Sequence, residues 1–127
     1  MDVAQALEDL TQISSQIEQA VVVGPDGSVL GSTFAGGERL AGAAARLLEE
    51  ADTARGRAPQ QLEAATRDGS VFVLREGERT IVATTGPAPT VGLVFYDLKS
   101  CLKAAGDTAP AAESAPETAD APGDDAA

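Results

Sequence analysis

The sequence predicts an α+β domain with a five-stranded antiparallel sheet and helices on both faces, in the order αββαβββα. Three observations predict it. A β-branched run leads into a Gly-Pro-Asp-Gly turn, a long alanine-rich segment has helical composition, and three short strand-like runs are separated by two glycine-containing turns. Amphipathic segments at both ends of this pattern supply the remaining helices.

The first helix is predicted over Val3–Gln19. Asp2 precedes it and is a good helix cap, because its carboxylate can accept a backbone N–H of the first turn. Apolar residues recur at three- and four-residue spacing with polar residues between them, which is typical of an amphipathic helix. These apolar residues are Val3, Ala6, Leu7, Leu10, Ile13 and Ile17.

A β-hairpin follows this helix. Ala20–Val23 is a short β-branched run that ends at Gly24-Pro25-Asp26-Gly27, where proline fixes φ and glycine permits a positive φ. Ser28–Thr33 returns as the second strand. Gly31 inside it is expected to mark a close backbone approach.

The second helix is predicted from Gly37 to Arg57, with Gly56 and Pro59 ending it. Two sets of side chains divide its surface. Larger apolar residues form one stripe and very small residues form another, where a second backbone could come close. The stripe contains Leu40, Ala44, Leu47, Leu48 and Ala51, and the small residues are Ala41, Gly42 and Ala45.

Three strands of an antiparallel meander come next, at Gln61–Thr66, Ser70–Arg75 and Arg79–Thr85. The turns between them contain Gly69 and Gly77. The middle strand has apolar residues on both of its faces, which predicts cover on both sides of the sheet.

Thr90 can cap a last helix that extends to Lys103, with apolar residues at helical spacing from Val91 to Leu102. A short strand over Val91–Phe95 is the competing interpretation, because the segment begins with β-branched residues.

The chain is expected to divide into a folded domain at 1–104 and a disordered acidic tail at 105–127. The tail has six acidic residues, no basic residue and no aliphatic side chain larger than alanine, so it has little apolar surface to offset the entropy of ordering. We expect it to serve solubility and spacing.

Charge and composition narrow the choice of partners and compartment. The net charge is −11 and the seven arginines are scattered among carboxylates, which argues against nucleic acid and against anionic membranes. No segment has the apolar length of a membrane span or the pattern of a secretion signal. We expect a cytoplasmic protein, with which the single Cys101 is compatible.

The residue types used most often as general bases and metal ligands are absent or scarce in the sequence. It has no histidine and one cysteine, so metal sites built from those ligands are excluded. Cys101 falls on an apolar helix face, which favours a core position over a nucleophile. The glycine-rich segments lack the following Lys-Ser/Thr of a phosphate-binding loop. We therefore expect no enzyme activity, no catalytic residues, no cofactor and no metal.

Three segments resemble the Roadblock/LC7 family in its short, bacterial, MglB-like form. They are the hairpin from Ala20 to Ser32, the alanine-rich helix around Arg39–Leu48, and the closing Val91–Leu98. The resemblance extends from about Asp2 to Lys103.

This resemblance implies profilin-like layers and a homodimer in which the second helix and the third strand meet their two-fold mates. The properties of the residues agree, since small side chains permit close helix packing and an open edge strand permits pairing. Helix propensity alone is the other explanation for the alanines. The expected interface residues are Leu40, Ala41, Ala44, Ala45, Leu48, Leu62, Ala64 and Thr66.

The resemblance also implies a small Ras-like GTPase as partner. No arginine matches a catalytic finger position of the family, so the chain would act by scaffolding or by positioning the partner's own residues. Whether it activates, inhibits or tethers stays open. The alternative is a small-molecule-sensing module of profilin-like or PAS-like shape, although Phe34, Phe72, Phe95 and Tyr96 are better used as core.

Overall fold

The computed structural model describes residues 2–56 and 60–106. It confirms the α+β class, the element order and the five-stranded antiparallel sheet. The elements are α1 (Val3–Ile13), β1 (Ile17–Val23), β2 (Val29–Ser32), α2 (Gly37–Arg55), β3 (Gln61–Ala65), β4 (Ser70–Glu76), β5 (Arg79–Thr85) and α3 (Val91–Gly106).

The sheet has the strand order β2-β1-β5-β4-β3, and all neighbours are antiparallel. The two halves of the chain meet at the β1–β5 pair, where Val22 lies opposite Ile81. The short strands β2 and β3 are the two edges of the sheet. Each edge strand is hydrogen-bonded to one neighbour only, so its other side is open.

The prediction of a first helix to Gln19 was wrong, because α1 ends at Ile13. Ser14 has an extended backbone and donates its N–H to the carbonyl oxygen of Leu10, which closes the helix. Ile17 begins β1, pairs with Thr85 and is buried at 7 % exposure. The four-residue spacing between Ile13 and Ile17 is typical of a helix. Ile17 is nevertheless part of a strand, and it is buried where that strand pairs with β5. The cap at Asp2 is confirmed by its Oδ1 accepting the N–H of Gln5 at 2.8 Å.

The last helix is confirmed, and the competing strand over Val91–Phe95 was wrong. The Thr90 carbonyl accepts the N–H of Val94 at 3.0 Å, as expected for a residue that caps a helix. The N–H of Thr90 itself donates to Oε1 of Gln16 at 2.6 Å, across 74 residues of sequence. The helix continues past Lys103 and includes the fully buried Ala105. Residues 107–127 of the predicted tail lie outside the described residues.

A neighbouring segment does come close to Gly31, but it is the side chains of α1 that approach it, and not a backbone as was predicted. A Cβ placed on Gly31 would lie 2.6 Å from Cγ1 of Val3 and 3.3 Å from Cδ1 of Leu7. Any side chain at this position of β2 would therefore push α1 away from the sheet. The absence of a side chain lets α1 rest directly on the edge strand.

The helices cover the two faces of the sheet unequally. The larger apolar cluster lies between the sheet and the pair α1 and α3, with Phe72 at its centre and the Phe95 ring packed edge-on against it at 5.1 Å. The smaller cluster lies under α2 and has four buried members, Val21, Ala44, Val73 and Val82. A single helix covers this second face, and several apolar side chains there stay partly exposed.

Candidate functional site

The free edge of β3 is the first feature able to bind another chain. Arg75 donates its N–H to the carbonyl of Gln60, and Thr66 donates its N–H to the carbonyl of Gly69. Because antiparallel pairs alternate, Leu62 and Ala64 also turn their backbone groups toward β4. The intervening residues Gln61, Glu63 and Ala65 then point their N–H and C=O groups away from the sheet.

An apolar strip lies beside this edge, on the face of the sheet that α2 covers. Leu62 is opposite Val73 and Ala64 is opposite Val71, so all four side chains point to that face. Val73 is fully buried, whereas Leu62, Ala64 and Val71 are half-buried. The cover provided by α2 is thus incomplete at the β3 end of the sheet.

Four of the eight predicted interface residues belong to the inner cluster under α2. Ala44 is 2 % exposed, so the chain's own packing already covers it. Leu40, Leu48 and Leu62 are half-buried and pack against the same cluster. These three keep some surface that a second chain could contact.

The other predicted residues lie in two separate places. Ala41 and Ala45 line a shallow groove of about 440 Å³ between α2 and the β1–β2 hairpin. Ala64 lies on β3 at the far end of the sheet, and Thr66 follows that strand. The Thr66 hydroxyl donates to the carbonyl of Gly69 at 2.7 Å, which closes the β3–β4 turn. The structure therefore does not bring all eight residues together within one chain.

A second groove, which the sequence did not indicate, lies between α1 and α3. It has a volume of about 370 Å³ and is lined mainly by apolar residues, together with Asp9 and Asp97. Tyr96 was expected in the core, but it is 67 % exposed at this groove, and Ile13 is 73 % exposed. Helical spacing placed Ile13 on an apolar face, and Tyr96 was assigned to the core because it is aromatic. Neither argument shows whether a neighbouring element covers the side chain.

Cys101 is a core residue, as predicted. It is 5 % exposed, and its Sγ donates to the carbonyl oxygen of Ala6 at 3.4 Å. Burial, and after it the negative charge of Asp9, raises the pKa of the Cys101 thiol from 9.0 to about 11. The thiol is therefore protonated near neutral pH and is a poor nucleophile.

Neither a metal site nor a membrane-spanning helix is found in residues 2–56 and 60–106. No group of three or more Cys, Asp or Glu side chains in these ranges could hold a metal ion. No helix in them is both long and apolar enough to cross a membrane.

These features define a small α+β domain with helices on both faces of a five-stranded antiparallel sheet. Solved structures of similar fold include a Roadblock/LC7 domain from Streptomyces avermitilis, with a TM-score of 0.73 and 16 % identity over 84 % of this chain and 97 % of that one. The gliding protein MglB from Thermus thermophilus has a TM-score of 0.68 and 16 % identity, covering 81 % and 84 % of the two chains. Profilin II from Acanthamoeba castellanii has a TM-score of 0.63 and 13 % identity, covering 84 % and 98 %.

The particular fold of this chain is thus the Roadblock/LC7 fold, with the profilin-like layers that the sequence predicted. No family model matches the sequence. A search of curated proteins likewise gave no match.

The raised pKa of Cys101 predicts a loss of stability in alkaline solution. The unfolded chain releases the thiol proton near pH 9.0, whereas the folded chain retains it to about pH 11. The stabilising contribution is therefore complete below the first value and disappears as the pH rises through the second. Urea unfolding of wild type and Cys101→Ala across this window should show wild type losing free energy of unfolding relative to the variant. A difference that is independent of pH would contradict the assignment.

Proposed function

We propose that the chain is a non-catalytic homodimeric scaffold that binds a small Ras-like GTPase and modulates or localises it. The observation that carries the proposal is the open edge of β3 beside an apolar strip that α2 leaves partly uncovered. Both features are incomplete in one chain, and a second copy is able to complete both.

The β3 edge is suited to pairing with its own two-fold mate. Gln61–Ala65 contains no proline and no lysine, and Glu63 is its single charged residue, so the usual devices that protect an edge are scarce. Antiparallel pairing of two identical strands is self-complementary, since each chain offers the same donors and acceptors to the other. The two sheets then join into one.

Such pairing also brings the two apolar strips together. Leu62 and Ala64 of each chain come to lie near the two-fold axis, on the face that carries α2. Burial of their exposed apolar surface adds a hydrophobic contribution to the backbone hydrogen bonds. The partly exposed Leu40 and Leu48 of α2 supply further apolar surface on the same face.

The small residues of α2 form the second part of the proposed interface. Ala41 is half-buried, while Gly42 and Ala45 are exposed, and a Cβ placed on Gly42 would meet no atom within 4 Å. This flank therefore leaves room for a partner backbone. Because it lies on the hairpin side of α2, away from β3, the two parts of the interface need separate tests.

The GTPase partner is inferred from the resemblance to Roadblock/LC7 domains. The scarcity of catalytic residue types agrees with a scaffold, and the structure gives the one cysteine a core position. The ligand-sensing alternative has less support, because Phe72 is fully buried and the Phe95 ring packs edge-on against it, so both rings serve the hydrophobic core.

Proline at position 65 tests the edge of β3. Ala65→Pro removes an outward N–H and leaves the ladder to β4 intact. We expect wild type to have the mass of a dimer in light scattering. The variant should dissociate at least about tenfold more readily, because each of its two chains loses one hydrogen-bond donor at the paired edge. Ala65→Ser retains the N–H and should remain dimeric. An unchanged dissociation constant for a folded Ala65→Pro would reject pairing through this edge.

A charge on the small flank of α2 tests the helix contact. Ala45→Glu places a carboxylate where the helices are proposed to approach, and burial of an unpaired charge should convert dimer to monomer. Thr53→Glu is the matched control, because Thr53 is also exposed but lies on the outer face of the same helix, opposite the buried Ala44. Sedimentation analysis should give a monomer for the first variant and a dimer for the second. A dimer in both would remove α2 from the interface.

The partner is tested by affinity capture on the full chain. Native lysate supplied with a non-hydrolysable GTP analogue or with GDP should yield a Ras-like GTPase on the immobilised wild type, retained in a nucleotide-dependent manner. If dimerisation creates the platform, the dissociated variants should retain less of the same GTPase. Failure to retain a GTPase in either nucleotide state would overturn the proposed partner.

A further inference from the structure

The groove between α1 and α3 has a composition unlike that of the other surfaces. Its floor is apolar and includes Ala6, Leu10 and Ala104, and Tyr96 and Ile13 at the groove stay largely exposed. Two carboxylates, those of Asp9 and Asp97, line the same space. A groove that combines exposed apolar side chains with negative charge is a recognisable binding surface for an amphipathic cationic segment.

Asp97 is the residue of this groove best placed to bind a cation. It is 9 % exposed, and within the described residues its side chain makes neither a hydrogen bond nor an ion pair, so its carboxylate oxygens face the open groove. A carboxylate set in a largely apolar groove attracts a cation more strongly than one on an open polar surface. Asp9, its neighbour in the groove, accepts a hydrogen bond from Nε2 of Gln5 at 3.2 Å, so Asp97 is the carboxylate left unpaired. A cation that enters the groove would therefore meet a carboxylate that has no competing partner within the described residues.

We propose that the α1–α3 groove binds a short amphipathic helix of a partner protein, which inserts an arginine or lysine side chain toward Asp97 and lays apolar residues against Ile13 and Tyr96. The charged hydrogen bond to Asp97 fixes the position of the helix. The apolar contacts supply most of the buried area. The hydroxyl groups of Tyr96 and Ser100 provide further polar contacts at the groove.

The chain's own C-terminal segment is a poor occupant of this groove. It follows α3 directly, but residues 107–127 contain six acidic residues and no basic one. Two like-charged groups in a partly buried site repel each other. Charge complementarity therefore favours a basic partner over the segment that is closest along the chain.

This site is independent of the proposed GTPase platform. It lies on the α1 and α3 side of the sheet, whereas the β3 strip and α2 lie on the other side. The two faces could thus hold two partners at once, which would make the domain an adaptor. Loss of one activity would leave the other intact.

The test is a selection from displayed helix-biased peptides about four turns long, with leucine fixed on one face and the remaining positions randomised. The full-length wild type is the target. Enriched peptides should carry an arginine or lysine at a constant spacing from the leucines. They should bind Asp97→Asn at least about tenfold more weakly, because the buried ion pair is lost. Asp52→Asn, an exposed acid on α2, is the matched control and should bind as wild type does.

A second variant separates a loss of peptide binding from misfolding of Asp97→Asn. Ser100→Arg places a cation in the groove from an exposed position of α3, so it should block the peptide while leaving the core unchanged. Failure to enrich basic peptides, or equal binding to wild type and Asp97→Asn, would overturn the proposal. Conversion of a wild-type dimer to a monomer by Ser100→Arg would also overturn it, because the occupant would then be a second copy of the chain.

Discussion

The unequal depth of the two hydrophobic layers is the constraint on which the rest of the structure depends. Two helices fill the α1 and α3 side of the sheet around Phe72, and one alanine-rich helix covers the other side. A single helix is about 10 Å wide and a strand pair spans about 5 Å, so α2 cannot cover five strands alone. The strands farthest from it keep exposed apolar side chains, and the β3 edge lies among them.

Much of the fold was predictable because the local signals agree with one another. Asp2 at a helix start, the Gly-Pro-Asp-Gly turn and the alanine-rich α2 all have the structure that their sequences favour. The prediction from sequence failed where the helix α1 gives way to the strand β1, because the apolar spacing there still fits a helix. Ile13 and Ile17 fit a helix, and only the pairing of Ile17 with β5 shows that the chain has already become a strand. That contact joins residues 68 positions apart, so no local pattern could reveal it.

The candidate surfaces were less predictable than the fold, for a physical reason. Periodicity shows that a residue lies on an apolar face, but it does not show whether that face is covered. Ala44 and Ala45 are adjacent and chemically identical, yet one is buried by the sheet and the other is exposed. Asp97 shows the same limit. In sequence, an acidic residue between apolar residues of a helix is expected to face solvent, and only the packing of α1 against α3 shows that this one is largely covered. Surfaces depend on which elements are neighbours, and that is a property of the whole chain.

The position of α3 as the last of the described elements has a consequence for synthesis. Every strand leaves the ribosome before α3, so the part of the sheet that α3 covers stays exposed to solvent until the turns containing Leu102 and Ala105 are released. Gln16, whose side chain accepts a hydrogen bond from the N–H of Thr90, is synthesised 74 residues before its partner. A chain that stalls before α3 is complete would therefore expose this apolar surface of the sheet to chaperones and proteases. Packing of α3 against the sheet buries it.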